Sequence, residues 1–123
     1  MTEDALNATT ERIIGCAYRV LNGLGSGFLE KVYENALAHE LRKAGVSVTQ
    51  QEPLPVHYDG VVVGDYFTDL RVEGSVIVEL KTSTEHHDVF AAQCLNCLKA
   101  TGMSVCLLLN FGKPQLGIKR FRR

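Results

Sequence analysis

The chain has 123 residues, of which 46% are hydrophobic and 22% charged. This balance indicates one globular domain, residues 1–123, with its own core. The composition excludes a disordered tail, a collagen-like chain and a coiled coil, and the longest apolar runs are too short to cross a bilayer. The sequence shows no charged start followed by an apolar signal segment, so we expect a cytoplasmic protein without membrane contact.

The net charge of −1 conceals an uneven distribution. Residues 1–88 contain all 14 acidic residues and 7 of the 13 basic ones, whereas residues 89–123 contain the other 6 basic residues and no acidic one. A chain with this polarity can offer carboxylates to a cation and basic groups to a polyanion. Chance placement of the acidic residues is the alternative.

The first 45 residues predict two helices. Apolar residues recur with helical spacing from Ile13 onward, until three glycines interrupt the chain at residues 22–27. A second helix is predicted from near Phe28, and Gly45 is expected to end it. Glu40 falls within the apolar stripe of this helix, where either an interior ion pair or a position at the edge of a site would account for it.

From Val46 the apolar residues alternate with a period of two, which predicts strands. Asp59-Gly60 is typical of a hairpin turn, and Glu73-Gly74-Ser75 predicts a second turn. The remaining predicted elements are a strand from Val76, a helix from about His87 to Ala100, a buried strand from Met103 to Asn110 and a short strand from Gln115 to Phe121. The predicted order is α-α-β-β-β-α-β-β, a mixed α/β (α+β) domain with an antiparallel meander at its centre.

The four cysteines are expected to be free, buried thiols, since no export signal indicates an oxidising compartment. Cys94 and Cys97 have the spacing of a metal or redox pair, and His86-His87 could complete a zinc set with them. The pair lies inside a helical pattern, however, and the sequence has no second pair of this spacing. Buried thiols are therefore the default interpretation, with structural zinc as the alternative.

Two charged residues interrupt the third strand, which reads Val76-Ile77-Val78-Glu79-Leu80-Lys81. The period of a strand puts the Glu79 and Lys81 side chains on one face of the sheet. Burial of such charges is costly unless they are paired or bind an ion. The alternative is that the strand reaches the end of the sheet and water solvates both charges.

The preceding strand places a second carboxylate beside Glu79. If residues 73–75 form a three-residue loop with glycine in the left-handed region, Val72 pairs with Val76, and Asp69 faces Glu79. A two-residue turn would shift this register and separate the two acids. Two carboxylates that close repel each other unless a cation neutralises both, and Mg²⁺ and Mn²⁺ suit such oxygen ligands.

A pair of acids that binds Mg²⁺ or Mn²⁺ is typical of metal-assisted hydrolysis, usually of a phosphodiester. A bound metal lowers the pKa of a coordinated water and neutralises charge on the phosphate. The same register places Lys81 opposite Phe67, beside the two acids. There its ammonium group would orient the water or stabilise the developing charge.

One pattern resembles the signature of the PD-(D/E)XK nuclease superfamily: Asp69, nine intervening residues and then Glu79-Leu80-Lys81. The segment Gly27-Phe28-Leu29-Glu30-Lys31-Val32-Tyr33 resembles the motif that names the GxxExxY family, a small bacterial and archaeal branch of that superfamily. Nearly the whole chain shares the likeness, although Thr68 stands where the superfamily name has Pro. The resemblance implies a restriction-endonuclease-like core, a central mixed sheet flanked by helices. Tyr33 would be an aromatic of the core or of the site wall.

The resemblance also implies roles for five side chains. Asp69 and Glu79 would be ligands of Mg²⁺ or Mn²⁺, and Lys81 would be the catalytic lysine. Glu30 would be the acidic residue that the superfamily often supplies from its first core helix, unless it is only a charge favoured by the helix dipole. Gln93 would approach the site from the third helix, unless it is a solvated helix residue.

Two functions follow from these observations. The first is a divalent-metal-dependent nuclease, and the alternative is a non-catalytic binding or assembly module that retains the fold. The intact set of Asp69, Glu79 and Lys81 favours the enzyme. The basic C-terminal part would contact the phosphates of DNA or RNA through Lys113, Lys119, Arg120, Arg122 and Arg123. The sequence shows no separate recognition module, so a homodimer or a partner protein would supply sequence-specific recognition.

Overall fold

The computed structural model describes residues 1–84 and 88–123. Its helices and strands are α1 Glu3–Leu24, α2 Glu30–Lys43, β1 Val48–Tyr58, β2 Val61–Val72, β3 Val76–Lys81, α3 Asp88–Thr101, β4 Val105–Asn110 and β5 Gly117–Arg122. The predicted order of elements is confirmed. The predicted start of α3 at His87 lies outside the described residues. Within the described ranges, no helix is both long and apolar enough to cross a membrane.

The five strands form one mixed sheet in the order β1-β2-β3-β4-β5. Strands β1, β2 and β3 form an antiparallel meander, β3 and β4 are parallel, and β4 and β5 are antiparallel. A parallel pair needs a crossover connection, which α3 provides. The carboxyl ends of β3 and β4 therefore lie at the same edge of the sheet, and β3 occupies its middle.

An apolar cluster lies on each face of this sheet. The larger cluster joins α1 and α2 to one face and includes the β3 residues Val76, Val78 and Leu80. The second cluster joins α3 to the other face and includes Ile77, Cys94, Cys97 and Cys106. Because strand side chains alternate, the odd-numbered residues of β3 point toward the α3 side. Glu79 and Lys81 thus share a face, as predicted.

The cysteines are part of this packing. All four are free and buried. Burial raises the pKa of Cys97 to about 12, so its thiol is neutral and packs as an apolar group. The described residues contain no group of three or more His, Cys, Asp or Glu side chains that could hold a metal ion. The zinc alternative also involved His86-His87, which lie outside the described residues.

Helix α2 begins at Glu30, two residues later than predicted, because the preceding loop is ordered by Tyr33. The Tyr33 hydroxyl donates to the Gly25 carbonyl at 2.5 Å and accepts the Phe28 N–H at 3.2 Å. Gly25 (φ 72°) and Gly27 (φ 111°) occupy the region that favours glycine. Tyr33 is fully buried and stacks on Phe111 at 4.6 Å between ring centroids. It is a core aromatic, one of the two expected roles.

Strand β1 runs unbroken through Pro53 and Pro55. An edge strand tolerates proline because its outward N–H groups have no ladder partner. Val46 precedes the strand and belongs to the core. Strands β4 and β5 likewise begin two residues later than predicted, at Val105 and Gly117.

Glu40 lies between the two N-terminal helices. Its carboxylate is 3.7 Å from the Arg19 guanidinium of α1 and 3.3 Å from the Lys43 ammonium of its own helix. The ion pair, rather than a position at the edge of a site, accounts for this acid in an apolar stripe.

Candidate active site

The turn between β2 and β3 has the predicted form. Glu73 (φ 53°) and Gly74 (φ 64°) are both left-handed, and the Ser75 N–H donates to the Val72 carbonyl at 3.0 Å. The predicted register is confirmed for the three pairs Val72–Val76, Arg71–Ile77 and Leu70–Val78. A three-residue loop therefore aligns the two strands up to the residue before the candidate acids.

Beyond Leu70 the two strands cease to pair in the described residues, so the predicted pairs Asp69–Glu79 and Lys81–Phe67 do not form. The Asp69 carboxylate itself accepts the Leu80 N–H, with 2.7 Å between Oδ2 and N. This side chain replaces a strand carbonyl as the acceptor, which is why the backbones part here. The carboxyl groups of Asp69 and Glu79 still lie close together, since the Asp69 carboxylate is one of the causes that raise the pKa of Glu79.

Glu79 is the most strongly perturbed acid of the group. Its side chain is 6% exposed, and burial, followed by the Asp69 carboxylate, raises the pKa of Glu79 to about 9. Among the described residues, its Oε1 atom has no hydrogen-bond partner. At neutral pH this site without a cation therefore holds a neutral acid beside a second carboxyl group.

Glu30 and Lys81 complete a cluster around these acids. Burial and the nearby Asp69 carboxylate raise the pKa of Glu30, while Lys81 acts in the opposite direction. The Lys81 ammonium lies 5.0 Å from the centroid of the Phe90 ring of α3, a cation–π contact. Four predicted site residues from three elements are thus close enough to affect one another.

The fifth predicted residue, Gln93, makes no hydrogen bond to the carboxyl groups among the described residues. Its half-buried side chain makes no hydrogen bond within the described part of the chain. Its backbone carbonyl accepts a hydrogen bond from the Tyr66 hydroxyl at 3.2 Å. The next residue, Cys94, points into the core beside Glu79.

Two further polar residues belong to the site, and the role of neither was predicted. Glu34, only 3% exposed, accepts hydrogen bonds from Gln50 Nε2 and Gln51 Nε2, both at 2.7 Å. Gln51 Nε2 also donates to Asp69 Oδ1 at 3.1 Å. Glu34 lies one helical turn after Glu30 and next to the buried Tyr33. The sequence signal that could have identified it is an acidic residue within the apolar stripe of α2.

The donor set fits a hard divalent cation. Two carboxylates with oxygen atoms free for coordination are what Mg²⁺ and Mn²⁺ use, with water or phosphate oxygens filling the other positions. The unpartnered, buried Oε1 of Glu79 is the observation that supports this fit. Within the described ranges the pair belongs to no group of three or more His, Cys, Asp or Glu side chains that could hold a metal ion.

The basic C-terminal residues divide between the two faces of the sheet. Arg120 and Arg122 turn toward α1 and pair with Glu3. Lys119 is exposed and stands opposite Leu108, which stands opposite Glu79 in the next strand. Paired residues share a face, so Lys119 is on the side of the acids, two strand spacings or about 10 Å from Glu79 along the sheet.

Comparison with known proteins agrees with this geometry. The profile of the PD-(D/E)XK nuclease superfamily matches residues 7–121. The chain belongs to the PD-(D/E)XK nuclease superfamily. As a member of that superfamily it has the restriction-endonuclease-like fold, with a five-stranded mixed sheet and helices on both faces.

A solved structure shares the fold. The crystal structure of an alkaline exonuclease, LHK-Exo, from Laribacter hongkongensis matches with a TM-score of 0.57 and 16% sequence identity. The match covers 100% of this chain and 72% of that chain. At this identity the likeness concerns the fold alone. No curated protein sequence matches the chain significantly.

Proposed function

We propose that this chain is a divalent-metal-dependent nuclease, formed by one domain and belonging to the GxxExxY branch of its superfamily. The observation that carries the proposal is the neighbouring acids Asp69 and Glu79, of which Glu79 is buried and has no partner for its Oε1 in the described residues, with Lys81 beside it. Burial of Glu79 beside a second carboxyl group is costly unless a cation binds the two acids. Divalent metals are also typical of the superfamily.

Asp69 and Glu79 would hold Mg²⁺ or Mn²⁺. The bound ion would supply an activated water and neutralise charge on the scissile phosphate. Lys81, directed by the Phe90 ring, would place its ammonium against the developing negative charge of the phosphate. Glu30 would add a protonatable carboxyl group to the same cluster.

Gln93 is a candidate substrate contact rather than part of the acid cluster. Its amide has no hydrogen-bond partner within the described residues and sits on the helix that covers Lys81. A free amide at the wall of a site can donate to a phosphate or to a base edge.

DNA or RNA is the proposed substrate. Lys119 is aligned with Glu79 across the sheet, and Lys113 is exposed in the segment that follows β4. The Phe111 N–H of that segment donates to the Lys81 carbonyl at 2.8 Å, which keeps it at the same edge of the sheet. Phosphate contacts of this kind position a substrate without reading its sequence, so a second copy or a partner protein would supply specificity. The free cysteines suit the cytoplasm.

Cleavage of a mixed panel of single- and double-stranded DNA and RNA tests the proposal. We expect Mg²⁺- or Mn²⁺-dependent cleavage that EDTA abolishes and that Glu79→Gln loses. Asp65→Asn is the matched control, because Asp65 is an exposed acid on the same strand as Asp69. Absence of cleavage by the wild type with every substrate and either metal would contradict the nuclease and favour the non-catalytic module.

A further inference from the structure

Gln51 is the one non-glycine residue within a strand of the described chain that adopts a left-handed backbone conformation, with φ 51°. The β1–β2 pairs on either side, Gln50–Leu70 and Glu52–Thr68, keep one register, and Gln51 and Asp69 occupy the position between them. A left-handed conformation is unfavourable for a residue with a Cβ atom. Such local strain persists where the surrounding contacts stabilise it, and it often marks a functional position.

In this conformation the side chain of Gln51 donates hydrogen bonds to two carboxylates. Its amide nitrogen donates to Glu34 Oε1 at 2.7 Å and to Asp69 Oδ1 at 3.1 Å. An amide NH₂ group has two hydrogens, so one nitrogen can serve both carboxylates. If the amide were turned over, its oxygen would face two carboxylate oxygens, and none of the three can donate a hydrogen bond. The nitrogen therefore faces the carboxylates.

Glu34 is the second carboxylate that the Gln51 amide contacts, and other residues hold it in place. It is 3% exposed and also accepts from Gln50 Nε2 at 2.7 Å and from the Lys31 ammonium at 2.9 Å. Its position is therefore set by three donors from α2 and β1.

Asp69 is consequently held at both oxygens, since Gln51 donates to Oδ1 and the Leu80 N–H donates to Oδ2. Each carboxylate oxygen retains a second lone-pair direction for a metal ion. Loss of a partner that orients a ligating carboxylate in this way typically lowers metal affinity by about 10- to 100-fold.

We propose that Gln51 is a positioning residue that transmits the fixed position of Glu34 to the Asp69 carboxylate and so preorganises it for a divalent cation. The inference rests on the proposed function, because it assigns Asp69 as a metal ligand. A purely structural role, in which Gln51 only ties β1 to α2, is the alternative.

Two substitutions separate these roles. Gln51→Gly removes the amide and favours the left-handed backbone. Gln51→Asn also tolerates that backbone, but its amide is one methylene too short to reach both carboxylates. Gln50→Asn is the matched control, because Gln50 also bonds Glu34 yet has no bond to Asp69.

Mn²⁺ alone is the probe, titrated calorimetrically into metal-free protein. We expect both Gln51 variants to unfold in urea at or above the wild-type midpoint while their Mn²⁺ affinity falls about 10- to 100-fold. The affinity of Gln50→Asn should stay within about twofold of the wild type. Wild-type affinity in both Gln51 variants, or an equal loss in Gln50→Asn, would overturn the positioning role.

A second measurement does not depend on metal. Hydrogen exchange of the Leu80 amide reports its bond to Asp69 in the metal-free protein. We expect faster exchange at Leu80 in both Gln51 variants and not in Gln50→Asn, and unchanged exchange would contradict the proposal. If wild-type protein binds no Mn²⁺ but the Leu80 exchange behaves as expected, the proposed metal site fails and the positioning of Asp69 by Gln51 stands.

Discussion

The Asp69 carboxylate accepts the backbone N–H of Leu80 at 2.7 Å. Leu80 separates Glu79 from Lys81, so this one bond attaches the acid of β2 to the backbone that carries the other two candidate groups. The bond also occurs where the β2–β3 ladder ends. Asp69 therefore combines two tasks, since it fixes the spacing of the cluster and leaves its other lone pairs free for a cation.

Replacement of Asp69 should affect stability in a way that depends on the substitute. Asp69→Ala leaves the buried Leu80 N–H without its acceptor, which should lower the free energy of unfolding by about 1–3 kcal/mol. Asp69→Asn keeps an acceptor for the Leu80 N–H, so it should be clearly more stable than Asp69→Ala. Urea unfolding in EDTA measures both, and equal stability would show that the bond to Leu80 contributes nothing.

The metal-free protein should lose stability as pH rises. Glu79 binds a proton in the folded state up to about pH 9, whereas its ordinary pKa is 4.5, so the folded state holds the extra proton between these values. The free energy of unfolding should fall by up to about 1.4 kcal/mol per pH unit across this window, and the raised pKa of Glu30 acts in the same direction. Unfolding in EDTA at several pH values measures the slope. The range runs from about pH 5 to about pH 9, roughly the interval between the two pKa values.

Glu79→Gln is the control for that slope, because glutamine does not titrate. Its stability should depend less on pH than that of the wild type. A wild-type slope equal to that of Glu79→Gln would mean that Glu79 is ionised in the folded, metal-free protein.

Lys81 should act in cleavage and not in metal binding. Lys81→Gln removes a positive charge beside the proposed cation, so Mn²⁺ affinity should be unchanged or higher, while cleavage falls by about 100-fold or more. Lys81→Arg keeps the charge and should recover part of the activity. Lys99→Gln, on the exposed surface of α3, is the control. Loss of Mn²⁺ binding in Lys81→Gln would contradict this division of roles.

The two faces of β5 should contribute differently to substrate binding. Lys119→Gln should weaken binding of a nucleic acid and reduce its salt dependence by about one phosphate contact, because Lys119 is on the face of Glu79. Arg120→Gln should have a small effect, since Arg120 turns toward Glu3. Fluorescence anisotropy at several salt concentrations compares them. A larger effect of Arg120→Gln would place the substrate on the opposite face.

Much of the fold was predictable because its signals are local. The turn residues 73–75 set the register of three residue pairs between β2 and β3, and the change from helical to alternating apolar spacing near Val46 separated helices from strands. The start of α2 was placed two residues early because the Tyr33 hydroxyl orders the preceding loop. That contact joins residues eight positions apart and has no counterpart in apolar periodicity.

The candidate site was predictable only in part, for a related reason. Asp69, Glu79 and Lys81 follow from one hairpin, whereas the bond of Gln51 to Glu34 joins residues 17 positions apart. A left-handed glutamine within a strand has no sequence signal, because glutamine is not a residue that favours this conformation. The assignment of the whole C-terminal part to substrate binding also needed refinement, since alternation along β5 sends its arginines to the other face.

Calorimetric titration of Mn²⁺ into metal-free protein near pH 8 tests the central claim, that Asp69 and Glu79 together bind a divalent cation. We expect a single site in the wild type and in Asp65→Asn, at least tenfold weaker binding in Asp69→Asn, and no measurable binding in Glu79→Gln. Wild-type protein that binds no Mn²⁺, or variants that bind it as tightly as the wild type does, would contradict the claim.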